Sequence, residues 1–224
     1  MGIRVLGISG SPVVDGNLET FLLASLKSVE KPGVTIETAS LAKYRIEDCR
    51  HCNFCWRKQT EGRYCALDDD GQLLFEKVES ADILVLATPV YFMRTSARMA
   101  AFIDRLRLFI FGNITKKKLR NKVGVSLVVG WMRHAGIETT HLNHLLAFGI
   151  LEMIAATSHD SVSPLGGSAL SSEHGMGRFD PAVRLGTEHD KSGLASGRMA
   201  MERALELATI IKRGTACDVN AVPR

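Results

Sequence analysis

Four of the five cysteines fall within residues 49–65, C-R-H-C-N-F-C-W-R-K-Q-T-E-G-R-Y-C. Two residues separate Cys49 from Cys52, two separate Cys52 from Cys55, and nine lead on to Cys65. A thiolate is a soft, charged ligand, and three of them so close repel one another unless a metal or cluster takes up the charge. The spacing asks for metal and leaves its kind open. Disulfides fit poorly, because C-x2-C-x2-C would close small strained rings and a cytoplasmic chain stays reduced.

A second stretch has the makings of an anion site. Residues 4–8 read as a buried strand, Ser9-Gly10-Ser11-Pro12-Val13-Val14-Asp15-Gly16 as a loop, and Asn17 as the cap of a helix carrying Phe21, Leu22 and Leu26. Strand, small-residue loop and helix N-terminus together aim N–H groups and hydroxyls at a phosphate. The alternative is an ordinary strand-to-helix turn. Neither a Gly-Lys-Ser/Thr ending nor G-x-G-x-x-G is present, so a mononucleotide remains.

The elements that must position these residues follow from the apolar pattern. Residues 35–39, 82–87, 122–129 and 153–156 read as further strands, and 71–80, 96–109, 139–149 and 194–212 as further helices, the last stopped by Gly214. Arg98 and Arg105 are predicted to face outward, and the helix over 139–149 bears Leu142, Leu145 and Leu146. Asp68, Asp69 and Asp70 read as complements to a helix dipole. His141 and His144, one helical turn apart, read as a surface or interface pair rather than as metal ligands. Lys116, Lys117, Lys118, Arg120 and Lys122 read as a solvated turn, with a phosphate contact as the alternative. Residues 158–196 form a long Gly/Ser-rich loop of the kind that is functional or disordered. Cys217 reads as an incidental thiol.

Five strands alternating with five helices imply one three-layer α/β domain over residues 1–214, with a tail over 215–224. The parallel sheet is predicted in the order 2-1-3-4-5, which places a ligand beyond the ends of strands one and three, at Ser9 and Thr88. The cysteine loop, residues 44–67, then follows strand two at the same edge. Of 224 residues, 46% are hydrophobic, 23% charged and 6% aromatic, the composition of a globular protein and no base-stacking platform. No apolar run approaches the roughly 20 residues of a membrane span, and the N-terminus does not read as a signal peptide, so a cytoplasmic protein is expected.

Ser9-Gly10-Ser11-Pro12 with Gly16-Asn17, and Thr88-Pro89-Val90-Tyr91-Phe92 leading to Ala101-Phe102-Ile103-Asp104-Arg105, resemble the NADPH-dependent FMN reductase family of flavodoxin-like proteins. The cysteine insertion resembles its iron-sulfur flavoprotein branch. The resemblance implies FMN, its phosphate on Ser9, Ser11, Gly16, Asn17 and Leu18, its isoalloxazine against Thr88, Pro89, Val90, Tyr91 and Phe92. It also implies a 4Fe-4S cluster on Cys49, Cys52, Cys55 and Cys65. Leu18 and Val13 stand where the family commonly has Thr and a basic residue, which leaves the phosphate to backbone and hydroxyls. The family's third flavin loop is replaced by Gly130-Trp131-Met132-Arg133-His134-Ala135-Gly136, either a substrate pocket or a bulkier wall.

The chemistry implied is that of an FMN and 4Fe-4S oxidoreductase. Ferredoxin or NAD(P)H would supply electrons and a quinone, an oxygen species or an organic substrate would accept them, with Tyr91, Arg133 and His134 contacting substrate. A zinc-stabilised FMN/quinone reductase and a non-enzymatic electron carrier or redox sensor are the alternatives. No nucleic-acid or membrane partner is expected. A homodimer or homotetramer is, because neither the cysteine loop nor 158–196 has a core of its own.

Overall fold

The computed structural model describes residues 2–159, 162–178 and 180–216. Strands β1 (Ile3–Ser9), β2 (Val34–Ser40), β3 (Ile83–Pro89) and β4 (Val123–Gly130) form a parallel sheet with the short strands β5 (Ile154–Ala155) and β6 (Gly167–Leu170). The order β2-β1-β3-β4-β5 is the one predicted, with β6 as a sixth strand. Both β5 and β6 pair with β4, at Val123–Gly124 and along Leu127–Gly130 respectively, so the fifth position is shared by two segments.

The central strands are covered on both faces, as their unbroken apolar runs require. On one face Val5, Val85, Val125 and Leu127 pack with Phe21, Leu22 and Leu26 of α1 (Asn17–Lys27) and Met201, Ala204 and Ala208 of α7 (Lys191–Ala216). Between these two helices in the chain lie α2 (Phe54–Arg57), α3 (Gly71–Ser80), α4 (Ala97–Arg105), α5 (Leu108–Phe111) and α6 (Ile137–Ile150). On the other face Leu6, Ile8, Leu84 and Leu86 pack with Phe75 of α3, Phe102 of α4 and Phe148 of α6. Alternation along each strand sends neighbouring side chains to opposite layers. In the register of β1 and β3, Ser9 lies beside Ala87, so Ser9 and Thr88 finish at the same edge.

Several elements depart from the sequence reading. Helix 96–109 is two pieces, because the Leu106 N–H bonds back to Ile103 O at 2.9 Å and tightens the turn before α5. Segment 158–196 is not one loop: it holds β6, two 3-10 turns and the first turn of α7. Gly214 is not in a left-handed conformation and does not stop α7, which runs to Ala216; Cys217 and the rest of the predicted tail lie outside the described residues. Arg105 is buried rather than outward, held by Asp69. On α6, His141 and His144 are buried rather than at a surface, while Leu142 and Leu146 are exposed. The reason is polar, since β4 presents Ser126 to both imidazoles. The basic run forms turns in which Lys118 pairs with Glu79, Arg120 with Glu152 at 3.0 Å, and Lys122 caps the carbonyls of Glu79 and Ala81.

Candidate functional site

At the end of β1, Ser9 is buried and its Oγ has no hydrogen-bond partner. Gly10 follows because α4 presses on it: a Cβ there would sit 2.7 Å from Met99 Cβ. Ser11 Oγ accepts from Val13 N at 2.9 Å and shapes the loop toward α1. Gly16, not Asn17, is the N-cap; Asn17 Oδ1 instead accepts from Thr187 N at 2.9 Å and ties the loop to the segment before α7. Leu18 is buried in the core, so only its backbone is left for a ligand. The Glu19 carboxylate accepts from Asp15 N at 2.7 Å, an acid group at the mouth of the loop that the sequence reading missed.

Beyond β3, Val90 N donates to Val129 O at 2.9 Å, and Tyr91 and Arg94 exchange backbone bonds at 3.0 and 3.2 Å around Phe92 and Met93. Those two residues have φ of 49° and 60°. Left-handed backbone in bulky residues costs on the order of 1–3 kcal/mol each and clusters at ligand sites. The turn is fixed by Thr139 Oγ1 donating to Met93 O at 2.6 Å, yet Phe92 itself is 98% exposed. Thr88 is buried and accepts from Ser96 N at 3.0 Å, while Ser96 Oγ donates to Gly10 O at 2.6 Å. Those two bonds tie the β1 and β3 loops together.

Cys49, Cys52, Cys55 and Cys65 line a single cavity of about 30 Å³ with Arg105 and Arg107. His51 and Asn53, at φ 50° and 59°, flank Cys52 and curl the chain between the first three sulfurs. Gln59 secures the loop: its Oε1 accepts from Ile114 N at 3.1 Å and its Nε2 donates to Tyr64 O at 3.1 Å, next to Cys65. Burial pushes the Cys55 thiol up; Arg107 opposes this, and the other three sulfurs add to it. Such a thiol ionises readily only against a cation or metal.

Asp69 and Arg105 form a fully buried ion pair at the wall of this cavity. Burial alone would raise the Asp69 carboxyl, but the Arg105 hydrogen bond and the amides of Glu47 and Gly71 hold it below the usual range. Arg105 also covers the Phe75 ring at 5.0 Å; burial alone would lower its pKa, but Asp69 and then Cys65 hold the guanidinium above its ordinary value. Asp69 and Asp70 accept from Glu47 N at 2.9 Å and Arg45 N at 2.6 Å, so these acids anchor the cysteine loop besides starting α3. Among the described residues, no three His, Cys, Asp or Glu side chains form the ligand set of a single ion.

The cysteine cavity and the β1/β3 loops touch opposite ends of α4. Ser96 at the start of α4 touches the cleft, and Arg105 at its end touches the cysteines. Nine residues of helix separate them, about 13 Å at 1.5 Å per residue. A third space of about 1080 Å³ lies beside β4 and β6. It takes in Arg133, His134, Trp131 and Asn17 but not Tyr91, so the three residues read as substrate contacts are divided between this cavity and the β3 turn.

Residues 3–164 match the family described as NADPH-dependent FMN reductase. The chain belongs to the NADPH-dependent FMN reductase family. Within it, the chain is 31% identical over 211 residues to a protein of Methanocaldococcus jannaschii named iron-sulfur flavoprotein, covering 94% of this chain and 100% of that one. An iron-sulfur flavoprotein of Archaeoglobus fulgidus is 29% identical over 203 residues, covering 91% and 96%. These matches place the chain in the iron-sulfur flavoprotein branch. Among solved structures, RosB with bound 8-demethyl-8-formylriboflavin-5'-phosphate superposes with a TM-score of 0.74 at 18% identity, covering 100% of this chain and 91% of that one. An NAD(P)H:quinone oxidoreductase from Methanothermobacter marburgensis gives 0.60 at 18% identity, covering 92% and 98%. At that identity the likeness is one of fold.

The residues present fit both groups that this family branch implies. The unpartnered Ser9 hydroxyl, the close approach at Gly10 and the N-terminus of α1 suit a phosphate. Four thiols around one cavity, with two guanidinium groups beside them, suit an anionic iron-sulfur cluster.

Proposed function

We propose that this flavin-dependent oxidoreductase holds FMN in the cleft between the β1 and β3 loops and a 4Fe-4S cluster on Cys49, Cys52, Cys55 and Cys65. Electrons would pass from ferredoxin or NAD(P)H through cluster and flavin to a small acceptor in the cytoplasm. The observation that carries this reading is the gathering of all four cysteines, from across a 17-residue stretch, around one cavity with Arg105 and Arg107. When bound, the flavin supplies one- or two-electron transfer and the cluster one electron at a time.

The chain's own residues divide the work. Ser9, Ser11 and the amides of residues 16–18 would bind the phosphate, and residues 88–92 would wall the ring. Arg105 and Arg107 would offset the cluster's negative charge, with Asp69 keeping Arg105 in place. Arg133 donates from Nη2 to His174 O at 3.1 Å and, with His134, would meet substrate or donor in the large cavity. Tyr91 is the corresponding contact on the β3 turn.

A homodimer or homotetramer belongs to the same proposal. Leu142, Leu146 and Ile150 stand exposed at four-residue intervals along α6, near the exposed Phe92 and Met93 turn that Thr139 of α6 holds. Anaerobic purification with absorbance and iron and sulfide analysis tests the cofactors: one FMN and about four irons per chain are expected for a cubane. Protein lacking both would refute the reading, and one tetrahedral zinc in place of iron would refute the cluster.

A further inference from the structure

We propose that Gln59, Gly112 and Asn113 are positioning residues: they form a clasp that sets Cys65 opposite Cys55 before any metal arrives, and the clasp determines whether the centre keeps its fourth iron. The inference rests on reading the four cysteines as ligands of one cluster.

The nine residues between Cys55 and Cys65 fold into a compact excursion. At its tip Thr60 and Arg63 exchange backbone bonds at 3.2 and 3.0 Å, with Gly62 at φ 74°. Gln59 is buried at the base of this turn. Its Oε1 accepts from Ile114 N at 3.1 Å and from Thr115 N at 3.3 Å, while its Nε2 donates to Tyr64 O at 3.1 Å. Backbone amides only donate and a carbonyl only accepts, so the side-chain amide has one orientation and both of its ends are engaged. Thr115 sends its hydroxyl hydrogen to Leu108 O at 2.5 Å and leaves Oε1 to the two amides.

Asn113 completes the clasp at Cys55. Its Oδ1 accepts from Gln59 N at 2.9 Å, its Nδ2 donates to Gln59 O at 3.2 Å, and its backbone N donates to Cys55 O at 3.0 Å. One segment, residues 112–115, thus holds Cys55, the backbone of Gln59 and, through the Gln59 side chain, the peptide bond that leads into Cys65. Gly112 lets that segment come so close. A Cβ there would collide with Thr115 Oγ1 and Leu108 O and lie 2.5 Å from Gln59 Oε1. Its φ of −62° is ordinary, so the requirement is for room.

These bonds use amides, carbonyls and a hydroxyl and no sulfur, so they hold without metal. Cys49, Cys52 and Cys55 are kept together by their two-residue spacings, whereas Cys65 arrives from the far side of the excursion. Without the clasp, each capture of iron by Cys65 would have to close that loop anew. The loosest ligand is where an oxidised cluster comes apart. A one-electron oxidant such as ferricyanide takes one electron, and the 4Fe-4S centre then releases one Fe2+, frees one thiolate and leaves a 3Fe-4S centre.

Gln59→Leu removes the tie to Tyr64 and keeps the Asn113 bonds to the backbone of residue 59; Gly112→Ala crowds the clasp from the opposite segment. In metal-free, reduced protein, N-ethylmaleimide labelling read peptide by peptide should be fastest at the exposed Cys52 and slower at Cys65. In both variants the Cys65 rate should rise at least about tenfold, because local opening is easier, with Cys52 unchanged. After anaerobic reconstitution and ferricyanide treatment the parent should retain about four irons, and Gln59→Leu about three with the paramagnetic resonance of a 3Fe-4S centre. An unaltered Cys65 rate, a rise of all four thiols together, or four irons kept by both variants would overturn the proposal. Labelling needs no iron, so a parent protein that binds none would defeat the cluster reading while the clasp is still judged.

Discussion

Two imidazoles buried without charge make stability depend on acidity in a calculable way. A free histidine titrates near 6.5, whereas burial holds His141 at about 4 and His144 at about 3, with the His141 charge adding to the latter. Between these values the unfolded chain binds protons that the folded chain refuses, so acid favours unfolding. The contribution is undiminished above pH 6.5 and declines as pH falls through the window below it. At pH 5 both folded values have yet to be reached, so the loss is set by the unfolded side: about 1.36 kcal/mol per unit over about 1.5 units, or about 2 kcal/mol per histidine. Urea unfolding at pH 7 and pH 5 should therefore show about 4 kcal/mol more loss in the parent than in His141→Gln/His144→Gln. All other titrating groups are common to both proteins and cancel in the difference. Equal pH dependence in parent and double variant would refute the reasoning.

Asp69→Ala strands the buried Arg105 guanidinium and frees the amides of Glu47 and Gly71; it should cost about 3–5 kcal/mol in urea unfolding, against under about 1 kcal/mol for an exposed pair such as Lys77 with Glu37. Glu19→Gln keeps an acceptor for Asp15 N but removes a charge beside the proposed phosphate. It should tighten FMN by about fivefold, about 1 kcal/mol, and leave riboflavin unchanged in a fluorescence titration. Leu146→Glu with Ile150→Glu places two charges on the apolar stripe of α6. Light scattering should then report a chain mass reduced to the monomer, with the circular dichroism of the fold retained.

The strand order, the layers and the meeting of Ser9 with Thr88 were legible because long apolar runs and small-residue loops are local signals. What the pattern concealed was polar and buried. Nothing in the spacing of His141 and His144 tells that Ser126, on strand β4, satisfies both. Arg105 looked outward for the same reason: its partner Asp69 is 36 residues away in the chain. The four cysteines were legible as a set; the bonds of Asp69, Asp70 and Gln59 that hold their loop were not, because each joins residues far apart in the chain. Strand β6 was hidden by composition, because Gly167 and Ser168 resemble a loop until Leu127 and Val128 pair with them.

Helix α4 behaves as a ruler. Its first turn is bolted to the cleft through Ser96, and its last turn carries the charge that faces Cys65, so the span between the two sites is counted in residues. Inserting a single residue would lengthen that span by about 1.5 Å and swing Arg105 around the axis by about 100°, away from Asp69. A drift in length along this segment would therefore be penalised twice, once as a stranded charge and once as a wider separation between the cysteine cavity and the β1/β3 loops.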